Sequence, residues 1–402
     1  MICINAGTGN TRSNRTEIKS LIRIIKSHTS PRDYLPLLGL LTLAGAIAAL
    51  VLMITGKLIP AALAHLMLGL GVLPLILDAI AHFIPVLTRT APRIGDRRAA
   101  AIGLVAGALA VIGQQFWFPL VYIAATLGIA AVGDLLINIQ QRVRRCLGTP
   151  HPCLQWYQAA LWSLAIALIA LLLSLLIPEQ WPALRRLHLH LNLLGFVGLT
   201  AFSTLQVLLP TLSRHPDPTT PERLRRLFPW AVTATAATAV GSAWFIPLAG
   251  VGLAIWFIVT ARLLAHLMRH FRTYWAASNS AIGLVIAVWG WAFNLVYALL
   301  HMLSAQGSDR ALWVFVCSFL LPLLSAALSH LVPVTLSPGA ETDERQRCQH
   351  RFARNTLSRS LLYLIAGGLI AGGYWWAPLL AAATASWFVI QGVAAVVRWN
   401  TM

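Results

Sequence analysis

Histidines recurring at one depth are the chemically richest residues of this chain. His65 and His190 each stand 20 residues before a proline, Pro85 and Pro210, and His188 lies two residues ahead of His190. His301 closes a later apolar stretch at the same level. Imidazole nitrogen is a common ligand for haem iron and copper, and imidazole buried among lipid-like side chains without a partner is costly. Several such residues at one depth suggest a cofactor site, with His65 and His190 first among the metal ligands. Headgroup contacts by His188 and His301, and hydrogen-bonded packing by His65 and His190, explain the pattern equally well.

A second set of polar groups, Asp78, His82 and His330, lies deeper or toward the opposite face, and ionisable residues inside a membrane default to functional hypotheses. Asp78 follows Pro74, which removes a backbone donor, frees a carbonyl and bends the helix around what could be a polar cavity. His82 and His330 each precede a proline by three residues, and Gln206 fills nearly the same place in a third stretch. Gln ligates iron poorly, so helix–helix hydrogen bonding is the plainer account of that pair. Asp134 and Arg262 lie close to the surface and read as an ion pair or as snorkelling groups. Cys146, His151 and Cys153 lack the fourth ligand of a closed zinc site, and Arg262 would repel a metal from His266 and His270.

The elements that must position these groups are membrane helices. The 402 residues are 58% hydrophobic and 10% charged, too little polar side chain to cover a soluble domain. Apolar stretches of roughly 20 residues, each able to cross the hydrocarbon as a helix, are expected at 35–55, 62–88, 98–116, 119–139, 157–178, 187–211, 229–248, 250–268, 277–301, 311–335, 357–377 and 379–397. The net charge of +18 does not mark a nucleic-acid binder, because it is divided among loops. With the amino terminus inside, 25 of the 30 Lys and Arg fall on one side of the twelve spans. That bias places both termini in the cytoplasm. Residues 1–34 read as a basic cytoplasmic extension, with 15–28 able to lie on anionic headgroups, and 35–402 as a single transmembrane domain.

Two landmarks repeat. Aromatics ahead of a Pro-Leu pair occur at Phe116–Leu120, Trp244–Leu248 and Tyr374–Leu379, and a polar residue ahead of a proline occurs at His82–Pro85, Gln206–Pro210 and His330–Pro333. Both periods approach a third of the chain. The spacing predicts an all-α protein of three four-helix pseudo-repeats, about 35–140, 157–270 and 277–397, around an axis along the membrane normal.

Twelve helices, inner termini and histidines on the second and sixth spans resemble the subunit I architecture of haem-copper oxidases. The runs His65-Leu66-Met67-Leu68-Gly69 through Pro85 and Arg89, and His188-Leu189-His190-Leu191-Asn192-Leu193-Leu194-Gly195 through Pro210, more closely resemble the NnrS family, haem- and copper-containing membrane proteins of the nitric oxide response. The resemblance implies haem, with copper the lesser candidate, an electron-transfer or respiratory partner, and a bacterial inner membrane. His190 or His301 would then complete the ligation of His65, and Arg185 and Arg186, on the loop before His188, could pair with haem propionates. Where the oxidases carry histidines, the tenth span has Trp313 and the seventh has none, so oxygen reduction at a haem-copper centre is not expected. A metal-free transporter lined by Asp78, Pro74 and His82, or an assembly scaffold, is the alternative.

Overall fold

The computed structural model describes residues 34–277, 279–304, 310–337 and 342–400, so the amino-terminal extension and its 15–28 stretch lie outside the described residues, Tyr34 excepted. The helices, in chain order, are α1 (Leu35–Thr55), α2 (Pro60–Thr88), α3 (Arg98–Gln115), α4 (Pro119–Val143), α5 (Cys153–Leu173), α6 (Pro178–Leu212) and α7 (Thr220–Trp244). They continue as α8 (Ile246–Arg269), α9 (Phe271–Ala277), α10 (Asn279–Ser304), α11 (Ala311–Leu336), α12 (Asp343–Ala353), α13 (Thr356–Ala371) and α14 (Ala377–Asn400). No strand occurs among the described residues.

Ten of these helices are long and apolar enough to cross a membrane, which makes the chain a helical membrane protein. The two other expected spans are also helical. Helix α7 opens with the charged turn Glu222–Arg226, and α13 has 16 residues. Helix α7 begins at Thr220 rather than 229 because Pro221 suits a first turn, where its missing N–H has no intrahelical partner to lose. The aromatic-proline turns break the chain as expected, with Pro119, Pro247 and Pro378 each in the first turn of a new helix.

Consecutive spans pack against each other, and α14 packs on α1, so the helices close into a ring. Three further contacts tie α2 to α5, α6 to α10 and α11 to α1. Glycines permit the closest crossings. A Cβ built at Gly107 of α3 would fall 2.1 Å from the Gly69 carbonyl oxygen of α2, and one at Gly290 of α10 would fall 1.7 Å from the Ser318 carbonyl of α11. Buried Phe202, Trp256, Trp291 and Phe319 meet edge to face and join α6, α8, α10 and α11.

Helices α2, α6 and α11 share one irregularity. Each contains a π-helical segment, at His65–Val72, Leu191–Leu199 and Val316–Leu320. In α2 and α11 a proline follows at once, Pro74 and Pro322. Proline cannot donate to the carbonyl four residues back and clashes with it, so the preceding backbone widens. Helix α6 has no proline there; its segment contains Gly195, pressed on Ser163, and Gly198, pressed on Trp291.

Candidate cofactor site

The helix ends divide the polar residues into two levels: a histidine end with His65, His188 and His190, and an arginine end where α2, α4, α6, α8, α11 and α14 finish.

At the histidine end, local backbone positions each imidazole. His65 opens the π-helical segment of α2, and its Nδ1 lies 2.8 Å from the Ala61 carbonyl one turn earlier. His190 stands directly before the π-helical segment of α6, with Nδ1 2.9 Å from the Arg186 carbonyl and 3.0 Å from Ser242 Oγ of α7. Both histidines thus bond the carbonyl four residues back beside a π-helical segment. His188 Nδ1 lies 2.9 Å from the Ala167 carbonyl of α5. A carbonyl only accepts, so in all three rings Nδ1 carries the proton and Nε2 keeps its lone pair. Among the described residues Nε2 of these rings has no hydrogen-bond partner, and the side chains are half-buried. An imidazole anchored through Nδ1–H to a carbonyl and presenting Nε2 is the form that ligates metals.

His188 lies within electrostatic range of His65, whereas His190 is turned toward α7. His301 lies on α10, stacked on Tyr297 at 6.3 Å between ring centres. Arg185 and Arg186 do not sit on a loop as expected; α6 starts earlier, and both are helical. Arg186 donates from Nε to the Ser242 carbonyl at 2.7 Å and from Nη2 to the Ala243 carbonyl at 3.0 Å, capping the end of α7. Arg185 is exposed. Trp313 is buried near the start of α11.

A flat macrocycle cannot enter between α2 and α3. A Cβ on Gly69 would be 3.6 Å from the His65 ring and 3.7 Å from the Gly107 backbone. Among the described residues no three His, Cys, Asp or Glu side chains gather as a metal-holding group. Iron carried in a macrocycle needs fewer ligands from the protein than a bare ion does.

Toward the arginine end, Asp78 is fully buried and paired with Arg97, whose Nη1 lies 3.2 Å from both carboxylate oxygens. His82 lies within electrostatic range of Asp78 and packs edge-on against Phe83, and His330 is half-buried near the end of α11. Two networks absent from the sequence reading surround this level. Buried Arg142 of α4 pairs with Asp96 and donates to Asn138 Oδ1, Thr90 Oγ1 and the Ala91 carbonyl, clamping the α2–α3 loop. Arg223 of α7 reaches Gln206 Oε1 of α6 at 2.8 Å, Asp217 at 2.9 Å and His266 of α8 at 3.0 Å. Burial opposes ionisation of Asp217, but hydrogen bonds from Thr219 and Arg223, with the Arg223 charge, hold its carboxyl well below the usual carboxylate range. Basic residues beside helix-terminal acids are the signal that could have located these clamps. No protein-family model matches the chain, and no curated protein matches it.

Proposed function

We propose that this chain is a haem protein of a bacterial inner membrane, with both termini cytoplasmic and a redox or nitric-oxide-response role of the kind the NnrS resemblance implies. Its twelve spans form three four-helix pseudo-repeats about an axis along the membrane normal. Support for the repeats comes from the π-helical segments of α2, α6 and α11, and from the cyclic contacts of α2 with α5, α6 with α10 and α11 with α1. The charge bias assigns the arginine end to the cytoplasm.

The observation that carries the cofactor reading is the shared imidazole state: Nδ1–H on a backbone carbonyl and Nε2 free, in His65 and His188 from two different helices. These two would hold the haem iron, with copper at the same imidazoles the lesser candidate. Haem held there would supply the electron chemistry, in exchange with a respiratory partner. The chain's own part is to fix the imidazole tautomer, exclude water and close one flank through the Gly69–Gly107 crossing. Arg186 is occupied in capping α7, which leaves Arg185 as the cation open to a propionate. The transporter reading needs an available intramembrane carboxylate, and Arg97 occupies Asp78.

Haem-to-protein ratio in single variants tests the assignment. His65→Ala and His188→Ala should each lose most of the haem, while His190→Ala keeps it. Full haem content in the His65→Ala, His188→Ala double variant would make these the wrong ligands.

A further inference from the structure

Arg97, Arg142 and Arg359 are buried, and Arg223 is nearly so. Three of these four guanidinium groups have a carboxylate: Asp78 for Arg97, Asp96 for Arg142 and Asp217 for Arg223. Arg359, at 0% exposure the deepest, has none among the described residues. Its Nη1 donates to the Arg354 carbonyl at 2.8 Å and Gln391 Oε1 at 2.9 Å, and its Nη2 to Thr356 Oγ1 at 3.0 Å, the Phe352 carbonyl at 3.3 Å and Ser329 Oγ at 3.4 Å. Phe388 covers one face at 4.3 Å. All these partners are neutral, and the Nε–H has no acceptor.

Two hydroxyls on the same helix share that condition. Ser360 and Tyr363 are both 0% exposed, and neither Ser360 Oγ nor the Tyr363 hydroxyl has a hydrogen-bond partner. Tyr363 is one turn after Arg359 and within its electrostatic range, and Ser360 lies one turn before Tyr363. Helix α13 packs on α10 and α11 there. A buried charge with only neutral partners and three buried donors without acceptors are each costly, and buried polar groups are ordinarily satisfied.

We propose that Arg359, Ser360 and Tyr363 form a binding site for a small monovalent inorganic anion. An anion accepts from all three donors and cancels the guanidinium charge. Water could also be held by the two hydroxyls, but it would leave the guanidinium charge uncancelled. The ion is small, because α10 approaches closely: a Cβ at Gly283 would lie 2.6 Å from Thr356 Cγ2, 2.8 Å from Ala326 Cβ and 3.2 Å from Ser360 Oγ. The site is independent of the histidine end.

Chloride is the probe. Thermal unfolding of the full detergent-purified chain is followed while chloride replaces gluconate at constant ionic strength. The melting temperature should rise saturably with chloride. The Ser360→Ala, Tyr363→Phe double variant deletes two donors at nearly constant volume, so it should fold and bind chloride at least roughly tenfold more weakly, since each hydrogen bond to a charged group is worth more than a factor of ten. Bromide-soaked crystals should show an anomalous peak beside Arg359. Identical melting in chloride and gluconate, an unchanged chloride response in the double variant, or a bromide peak only elsewhere would each overturn the proposal.

Discussion

Replacing Asp78 by Asn removes one partner of a buried ion pair while keeping its size. The Arg97 Nη1 lies 3.2 Å from each carboxylate oxygen, and the Asp78 side chain has no exposure. At an effective dielectric constant of about 20, unit charges at that distance attract by about 5 kcal/mol. Removing one member of such a pair typically costs about 3–5 kcal/mol, because the other charge stays buried and uncompensated. Arg97 keeps 10% side-chain exposure and can partly turn toward water, which favours the lower end, about 3 kcal/mol. In a chain of this size that lowers the melting temperature by about 5 °C. The assay is thermal unfolding in detergent of Asp78→Asn, Arg97→Gln and the double variant. The double variant should recover most of the loss, since neither charge of the pair remains. An unchanged melting temperature for Asp78→Asn, or additive losses in the double variant, would refute the structural-pair reasoning and return Asp78 to the list of functional carboxylates.

The Asp217 carboxyl is held below its unfolded value, so its pairing stabilises fully above the unfolded pKa of about 4 and is lost as pH falls through the folded value. The melting difference between wild type and Asp217→Asn should therefore be constant from pH 7 to about pH 4 and shrink below that; a difference that grows on acidification would contradict the sign. Gly107→Ala drives a methyl into the Gly69 carbonyl and should cost about 1–3 kcal/mol by overpacking, read as a lower melting temperature and weaker haem retention. Arg186→Gln removes two bonds to the last carbonyls of α7 and should cost about 1–2 kcal/mol without changing haem content, whereas a shifted haem spectrum would place its guanidinium on the cofactor instead.

The membrane class was legible because it depends on composition, and the helix breaks at Phe116, Trp244 and Tyr374 because aromatics followed by proline leave few other conformations. The common setting of His65 and His190, each bonded to the carbonyl four residues back beside a π-helical segment, follows their equal spacing from Pro85 and Pro210. Which neighbour each histidine meets was not. Both sides of these helices are apolar, so periodicity says little about which face turns inward. His190 Nδ1 meets Ser242 Oγ of α7 and His188 Nδ1 the Ala167 carbonyl of α5, contacts that no hydrophobic pattern announces. The buried arginines escaped for another reason. Charge counting treats Arg97, Arg142 and Arg359 as solvated loop cations, yet Asp78 of α2, Asp96 and the Arg354 carbonyl retain them.

The most direct measurement is an optical spectrum of the purified chain, oxidised and then reduced with dithionite, with metal analysis of the same sample after growth with adequate haem. Ligation by His65 and His188 predicts iron near one per chain and a low-spin, two-imidazole haem spectrum that disappears in the His65→Ala, His188→Ala variant. A colourless, iron-free protein would contradict the haem reading.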